Sequence, residues 1–151
     1  MGKDVFDRLA GVWSIDRSIE PGGRFEGQAL FRPDGPDRLA YQEKGDMILA
    51  DGSRFEAARR YVYDWIGDRS DGRIVVRFDD GPNRGNVFLK LDLRSADDAA
   101  EPIEARDSHL CGEDVYDATY RFVDAGRFEF TCRVHGPRKD YVLRTVYSRR
   151  V

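Results

Sequence analysis

His109, Cys111, Cys132 and His135 are the only histidines and cysteines in the chain, and they carry its most versatile chemistry. Imidazole titrates near neutrality, which makes His109 the natural general acid or base. Asp107 and Asp114 are placed to fix its tautomer. Tyr116 and Tyr120, four residues apart, would point the same way on a strand and set two phenols beside that histidine. The four His and Cys side chains could also converge at one rim as a Cys2His2 zinc set. His-x-Cys is not a usual zinc spacing, however, and a chain of 151 residues can build a core that needs no metal staple. The expectation is therefore no metal and no cofactor. Haem ligation by His109 or His135 has only the availability of histidine in its favour.

Other polar residues alternate with aromatics in a way that suggests a cavity wall. Arg17 has the parity of Trp13. Tyr41 and Glu43 share a face with Leu39, and Arg59 and Tyr61 share one with Tyr63 and Trp65. Lys139 and Tyr141 follow the Gly136-Pro137 turn. The candidate ligand-binding set is Arg17, Tyr41, Glu43, Arg59, Tyr61, His109, Tyr116, Tyr120, Lys139 and Tyr141. An arginine turned inward without a partner would be costly, which predicts a polar or anionic small-molecule ligand. The alternative is a small enzyme of cyclase, isomerase or hydrolase type using His109 with Tyr116 or Tyr120. A second alternative is a protein-interaction module whose interior is filled by side chains. Residues 81–85 lack the helix and the Lys-Ser/Thr of a phosphate loop, and no serine sits in a nucleophile elbow.

Such side chains need a scaffold that turns them toward one another. A short helix is readable at the start, with Asp4 as N-cap, Phe6 and Leu9 on one face and Gly11 as its stop. After Gly11 the hydrophobic period becomes two. Strands are predicted over 12–19, 25–31, 38–49, 54–66, 73–79, 86–93, 102–109, 114–123, 127–134 and 140–148. Almost every gap carries Gly, Pro, Asp or Asn turn chemistry. Residues 95–101 read as a loop. Gly45 could bend the third strand, and a bulge could reverse the parity of the long fourth one. A meander of this kind closes most simply into an up-and-down barrel, which removes its sheet edges. A two-sheet sandwich needs longer crossovers. The predicted fold is all-β: an up-and-down antiparallel barrel of about ten strands, closed at one end by the short N-terminal helix.

The run Leu9-Ala10-Gly11-Val12-Trp13 resembles the start of a lipocalin or related calycin barrel. In such proteins the Trp plugs the closed end and an Arg late in the last strand covers it. The resemblance implies Trp13 for the first role and Arg149, or else Arg144, for the second. His109-Leu110-Cys111-Gly112-Glu113-Asp114-Val115-Tyr116 and Gly136-Pro137-Arg138-Lys139-Asp140-Tyr141 are similar to a bacterial family of small, uncharacterised lipocalin-like proteins. Phe25-x-Gly27-x-Ala29-x-Phe31 extends that likeness over nearly the whole chain. It implies the calycin-type fold and no particular activity, since such folds serve many functions.

Composition narrows the partners. Lys and Arg total 25 against 28 Asp and Glu, for a net charge of -3, which disfavours a dedicated nucleic-acid binder. Arg59-Arg60 and Arg149-Arg150 form no basic patch, because neighbours on a strand face opposite ways. No apolar run approaches the roughly 20 residues of a membrane-spanning helix. The first residues lead into no secretory apolar core. Two cysteines are too few for a disulfide scaffold. The expectation is one soluble, cytoplasmic domain over residues 1–151. It would have a small-molecule partner and neither a nucleic-acid nor a membrane partner. Composition leaves the oligomeric state open.

Overall fold

Period-two alternation becomes ten antiparallel strands in the computed structural model, which describes residues 2–93 and 102–150. Helix α1 (Gly2–Asp7) precedes β1 (Gly11–Glu20), β2 (Gly23–Pro33), β3 (Arg38–Leu49), β4 (Arg54–Gly67) and β5 (Gly72–Phe78). Then follow β6 (Val87–Asp92), β7 (Ile103–Cys111), β8 (Asp114–Asp124), β9 (Arg127–His135) and β10 (Asp140–Arg149). The predicted loop at 95–101 lies outside the described residues.

Each strand pairs with its sequence neighbours except at one seam, and β10 returns to pair with β1. The sheet order is β6-β5-β4-β3-β2-β1-β10-β9-β8-β7. Its two ends, β6 and β7, come side by side and nearly close the barrel. Full removal of the edges does not occur, because no ladder joins β6 to β7 among the described residues. There a side chain substitutes for a strand: the Lys90 N–H donates to the Asp107 carboxylate at 2.7 Å. Such capping blunts an edge without pairing it.

The inward set follows parity. Trp13, Ile15, Phe25, Ala29, Phe31, Tyr63, Trp65, Ile74, Val76, Leu89, Leu91, Phe122, Phe128 and Tyr147 are all buried. The β3–β4 ladder runs without a register shift from Arg38↔Asp64 to Ile48↔Arg54, so the expected bulge in β4 is absent and its parity holds. Shifts fall instead at Val76/Arg77 and between Phe122 and Asp124. Bending of β2 and β3 is accommodated by Gly27 facing Gly45. A Cβ on Gly27 would lie 2.3 Å from the Lys44 carbonyl oxygen, so only glycine permits this approach.

Helix α1 lies over the end of the barrel where β1 begins. Phe6 packs on Trp65 with ring centroids 6.1 Å apart, and the Lys3 N–H donates to the Arg69 carbonyl at 3.0 Å. The helix already starts at Gly2, so Asp4 is not its N-cap. Asp4 sits in the first turn and pairs with Arg69 at 2.6 Å. Trp13 is 1% exposed, and its indole N–H donates to the Leu9 carbonyl at 2.8 Å. Arg149 lies over the indole, its guanidinium carbon 4.0 Å from the ring centroid, and donates to the carbonyls of Ala10 and Arg8. Arg144 is exposed and reaches Glu20 instead. Gly11, at φ 121°, occupies a left-handed conformation where a Cβ would also strike the Arg149 guanidinium. A cation over a desolvated indole contributes about 2 kcal/mol.

Trp13→Ala is expected to cost about 3–5 kcal/mol in urea denaturation, as truncation of a large core aromatic does. A loss within about 0.5 kcal/mol would show that the plug carries no such weight.

Candidate ligand-binding site

Opposite α1, the barrel is hollow. The side chains from Tyr41 and Tyr147 upward leave a cavity of about 620 Å³ that opens between the last residues of β1, β3, β5 and β7 and the first of β2, β4, β6 and β8. That volume is in the range of small-molecule sites.

Arg17 forms the centre of its floor. It lies four residues beyond Trp13 on the same face of β1, and its ladder partners are Thr145 and Phe25. Register therefore sets its neighbours on either side. Its Nε donates to Thr145 Oγ1 at 2.8 Å, and its guanidinium carbon lies 5.1 Å from the Phe25 ring centroid. Its two terminal nitrogens grip Glu43 side-on at 2.8 and 3.0 Å. Glu43 is 4% exposed and also accepts from the Tyr41 hydroxyl at 2.5 Å. Tyr41 and Tyr147 hydroxyls meet at 2.9 Å, and across the barrel those of Tyr63 and Tyr120 meet at 2.7 Å.

Burial would raise the Glu43 carboxyl, but the hydrogen bond and charge of Arg17 outweigh it and hold the group below its ordinary value. The phenols respond the other way. Burial pushes Tyr41, Tyr63 and Tyr120 well above the usual tyrosine range, and Tyr61 and Tyr147 up to about 12. All five are protonated near neutrality and act as hydroxyl groups, not as phenolate bases.

The rim brings together the remaining candidates. His109 faces Tyr116 across the β7–β8 ladder, with ring centroids 6.0 Å apart, and meets Phe88 at 5.6 Å. It has no hydrogen-bond partner among the described residues. Neither proposed orienting carboxylate reaches it: Asp107 caps Lys90 at the seam, and Asp114 pairs with Lys139 at 3.3 Å. Lys139 is exposed and outside the cavity, where it donates to the Tyr116 hydroxyl at 3.3 Å. Tyr141 is half-buried and lines the opening. Arg59 also lines it, exposed to solvent, with its guanidinium carbon 5.9 Å from the Tyr61 ring centroid.

The His and Cys quartet is divided between two faces of the sheet. Cys132 is buried against the cavity, where burial pushes its thiol up to about 12. Cys111 is exposed at the mouth. His135 lies on the outer surface, with Nε2 3.0 Å from Asp117. Positions 132 and 135 have opposite parity on one strand, so their spacing alone forbids a common face. Arg17 is likewise not unpartnered, since Glu43 neutralises it. Tyr63, Thr145 and Tyr147 were missing from the candidate set. The alternation Tyr141, Leu143, Thr145, Tyr147 would have found the last two.

Fold and site together define a β-barrel with an internal cavity that is apolar along its walls and polar at its floor. The chain belongs to the DUF6314 family, a family of unknown function, which it matches over residues 9–149. No functionally curated protein matches its sequence. Among solved structures it is similar to the S-type phycobiliprotein lyase CPES from Guillardia theta. That match has 6% identity and a TM-score of 0.62, covering 99% of this chain and 92% of the other. EF1p2_mFAP2b, solved bound to DFHBI, is similar at 13% identity and TM-score 0.54, over 99% of this chain and 100% of that one. A fluorescence-activating β-barrel of de novo design matches at 13% identity and TM-score 0.51, over 97% and 98% of the two chains. These are likenesses of fold.

Glu43→Ala leaves Arg17 buried without a counter-charge and is expected to cost about 3–5 kcal/mol. The double change Arg17→Met with Glu43→Leu should cost less than the sum of the single ones, read by denaturant titration. Because the folded Glu43 carboxyl titrates below its unfolded value, its stabilisation is complete above the ordinary carboxylate range. It is lost as pH falls through the lower, folded value. Glu43→Gln should remove that part of the acid dependence from a stability–pH profile.

Proposed function

We propose that this protein binds a small polar or anionic organic molecule inside its barrel. The observation that carries the reading is the open cavity of about 620 Å³ whose floor joins Arg17, Glu43, Tyr41 and Tyr147 and whose walls are aromatic. A floor of this kind orients a ligand by hydrogen bonds while the walls supply contact area. Tyr120 contributes from depth, and Tyr61, His109, Tyr116 and Tyr141 from nearer the mouth. Lys139 acts only through its hold on Tyr116. The solved complex of EF1p2_mFAP2b with DFHBI supports the reading, since a barrel of similar fold accommodates a small molecule.

Catalysis by His109 is less well supported, because no carboxylate among the described residues orients its ring. The open cavity likewise argues against a filled interaction module. A calycin-type ancestry, a bacterial source, a cytoplasmic location and one domain over residues 1–151 complete this reading.

Native mass spectrometry of the purified protein is expected to show a retained small molecule or, after titration with the neutral dye N-phenyl-1-naphthylamine, a 1:1 complex. Leu143→Trp places bulk in the cavity and should abolish dye binding while circular dichroism stays unchanged. No retained molecule together with no saturable complex of the parent protein with this dye or with its anionic analogue 8-anilinonaphthalene-1-sulfonate, or undiminished binding by the folded variant, would overturn the proposal.

A further inference from the structure

The polar groups that the cavity leaves free are hydroxyls and one cation, with no free carboxylate among the described residues, and this deepens the small-molecule reading, on which it rests. Glu43 is the one carboxylate lining the cavity among the described residues. Its oxygens already accept from both terminal nitrogens of Arg17 and from Tyr41. Since the Tyr41 proton goes to Glu43, Tyr147 must be the donor in their 2.9 Å contact. In the Tyr63–Tyr120 pair only one hydroxyl can donate to the other, so the second proton has no acceptor among the described residues. The Tyr61 hydroxyl likewise has no hydrogen-bond partner among them.

Charge is unbalanced in the same sense. Arg17 and Glu43 cancel. Arg59 faces the cavity at the mouth, opposite Glu43 in the β3–β4 ladder, and has no ion-pair partner among the described residues. Beside it, Tyr61, Phe78, Phe88 and His109 form one ring cluster with successive centroids 4.9 to 6.0 Å apart. What the cavity still offers is therefore hydroxyl groups inside, an aromatic wall, and one positive charge at the opening.

We propose that the ligand is an aromatic organic monoanion, of carboxylate or sulfonate type. It lays its ring against Tyr61, Phe78 and Phe88, turns its anionic group outward to Arg59, and offers an inner acceptor to the tyrosine hydroxyls. A cation would meet Arg59 at the entrance.

Two dyes that share one ring skeleton test this: 8-anilinonaphthalene-1-sulfonate carries an anion, and N-phenyl-1-naphthylamine does not. The parent protein should bind the sulfonate more tightly at low salt, and added salt should erode that preference. Arg59→Gln should weaken the sulfonate by about 5–10-fold, a charge-assisted contact discounted for solvent exposure, and leave the neutral dye unchanged. Arg59→Glu should weaken it further. Arg60→Gln, on the opposite face of β4, should change neither dye. Equal affinity of the parent for both dyes, or an Arg59 change that moves both alike or neither, would overturn the anionic assignment and leave the small-molecule reading standing. Failure of both dyes to bind the parent would overturn that reading and this inference with it.

Discussion

The ladder between β1 and β10 joins the two ends of the chain, and its register decides both halves of the interior. At one end it sets Trp13 opposite Arg149, so the cation that covers the plug comes from the far end of the sequence. Four residues further along the same strand it sets Arg17 opposite Thr145. A slip of one residue would turn one strand's inward set outward, losing the plug and the polar floor together. The plug and the cavity are therefore consequences of one pairing and not independent features.

Along the barrel axis the interior changes character. Toward α1, Trp13, Phe31, Tyr63 and Phe128 pack edge to face, and little space remains. Above Arg17 the same alternation presents larger gaps, because β4 carries Ala57 and Arg59 where its other half carries Tyr63 and Trp65. An ion pair between these regions is a poor device for stability alone, since apolar residues of similar size would serve as well or better. Its value is geometric. It holds hydroxyls and a guanidinium in fixed orientation under an open space, which is how a recognition surface is kept ready before a ligand arrives.

The seam between β6 and β7 is where the barrel departs from full closure. Backbone groups at two neighbouring edges would invite pairing with another chain. The Asp107 carboxylate takes one of these N–H groups, and its charge makes that edge less receptive to another strand. The residue that could have oriented His109 is thus engaged in managing an edge, and the histidine is left to pack among rings.

Much of this arrangement was legible from sequence because period-two alternation is a local property. It placed the strands within a residue or two, and it gave Arg17, Tyr41, Glu43, Tyr61 and Tyr120 their inward direction. The helix end followed by Gly11-Val12-Trp13 also pointed to the plug. Local pattern says which way a side chain points, but it does not say what stands opposite. Whether Arg17 meets Glu43 or a ligand depends on the registers of three ladders and on the curvature that brings β3 over β1. The failure of Asp107 and Asp114 to reach His109, the partnership of Tyr63 with Tyr120, and the seam between β6 and β7 all depend on the same closure. Parity is written residue by residue, whereas partners across a barrel exist only once the sheet has curled and its two ends have met.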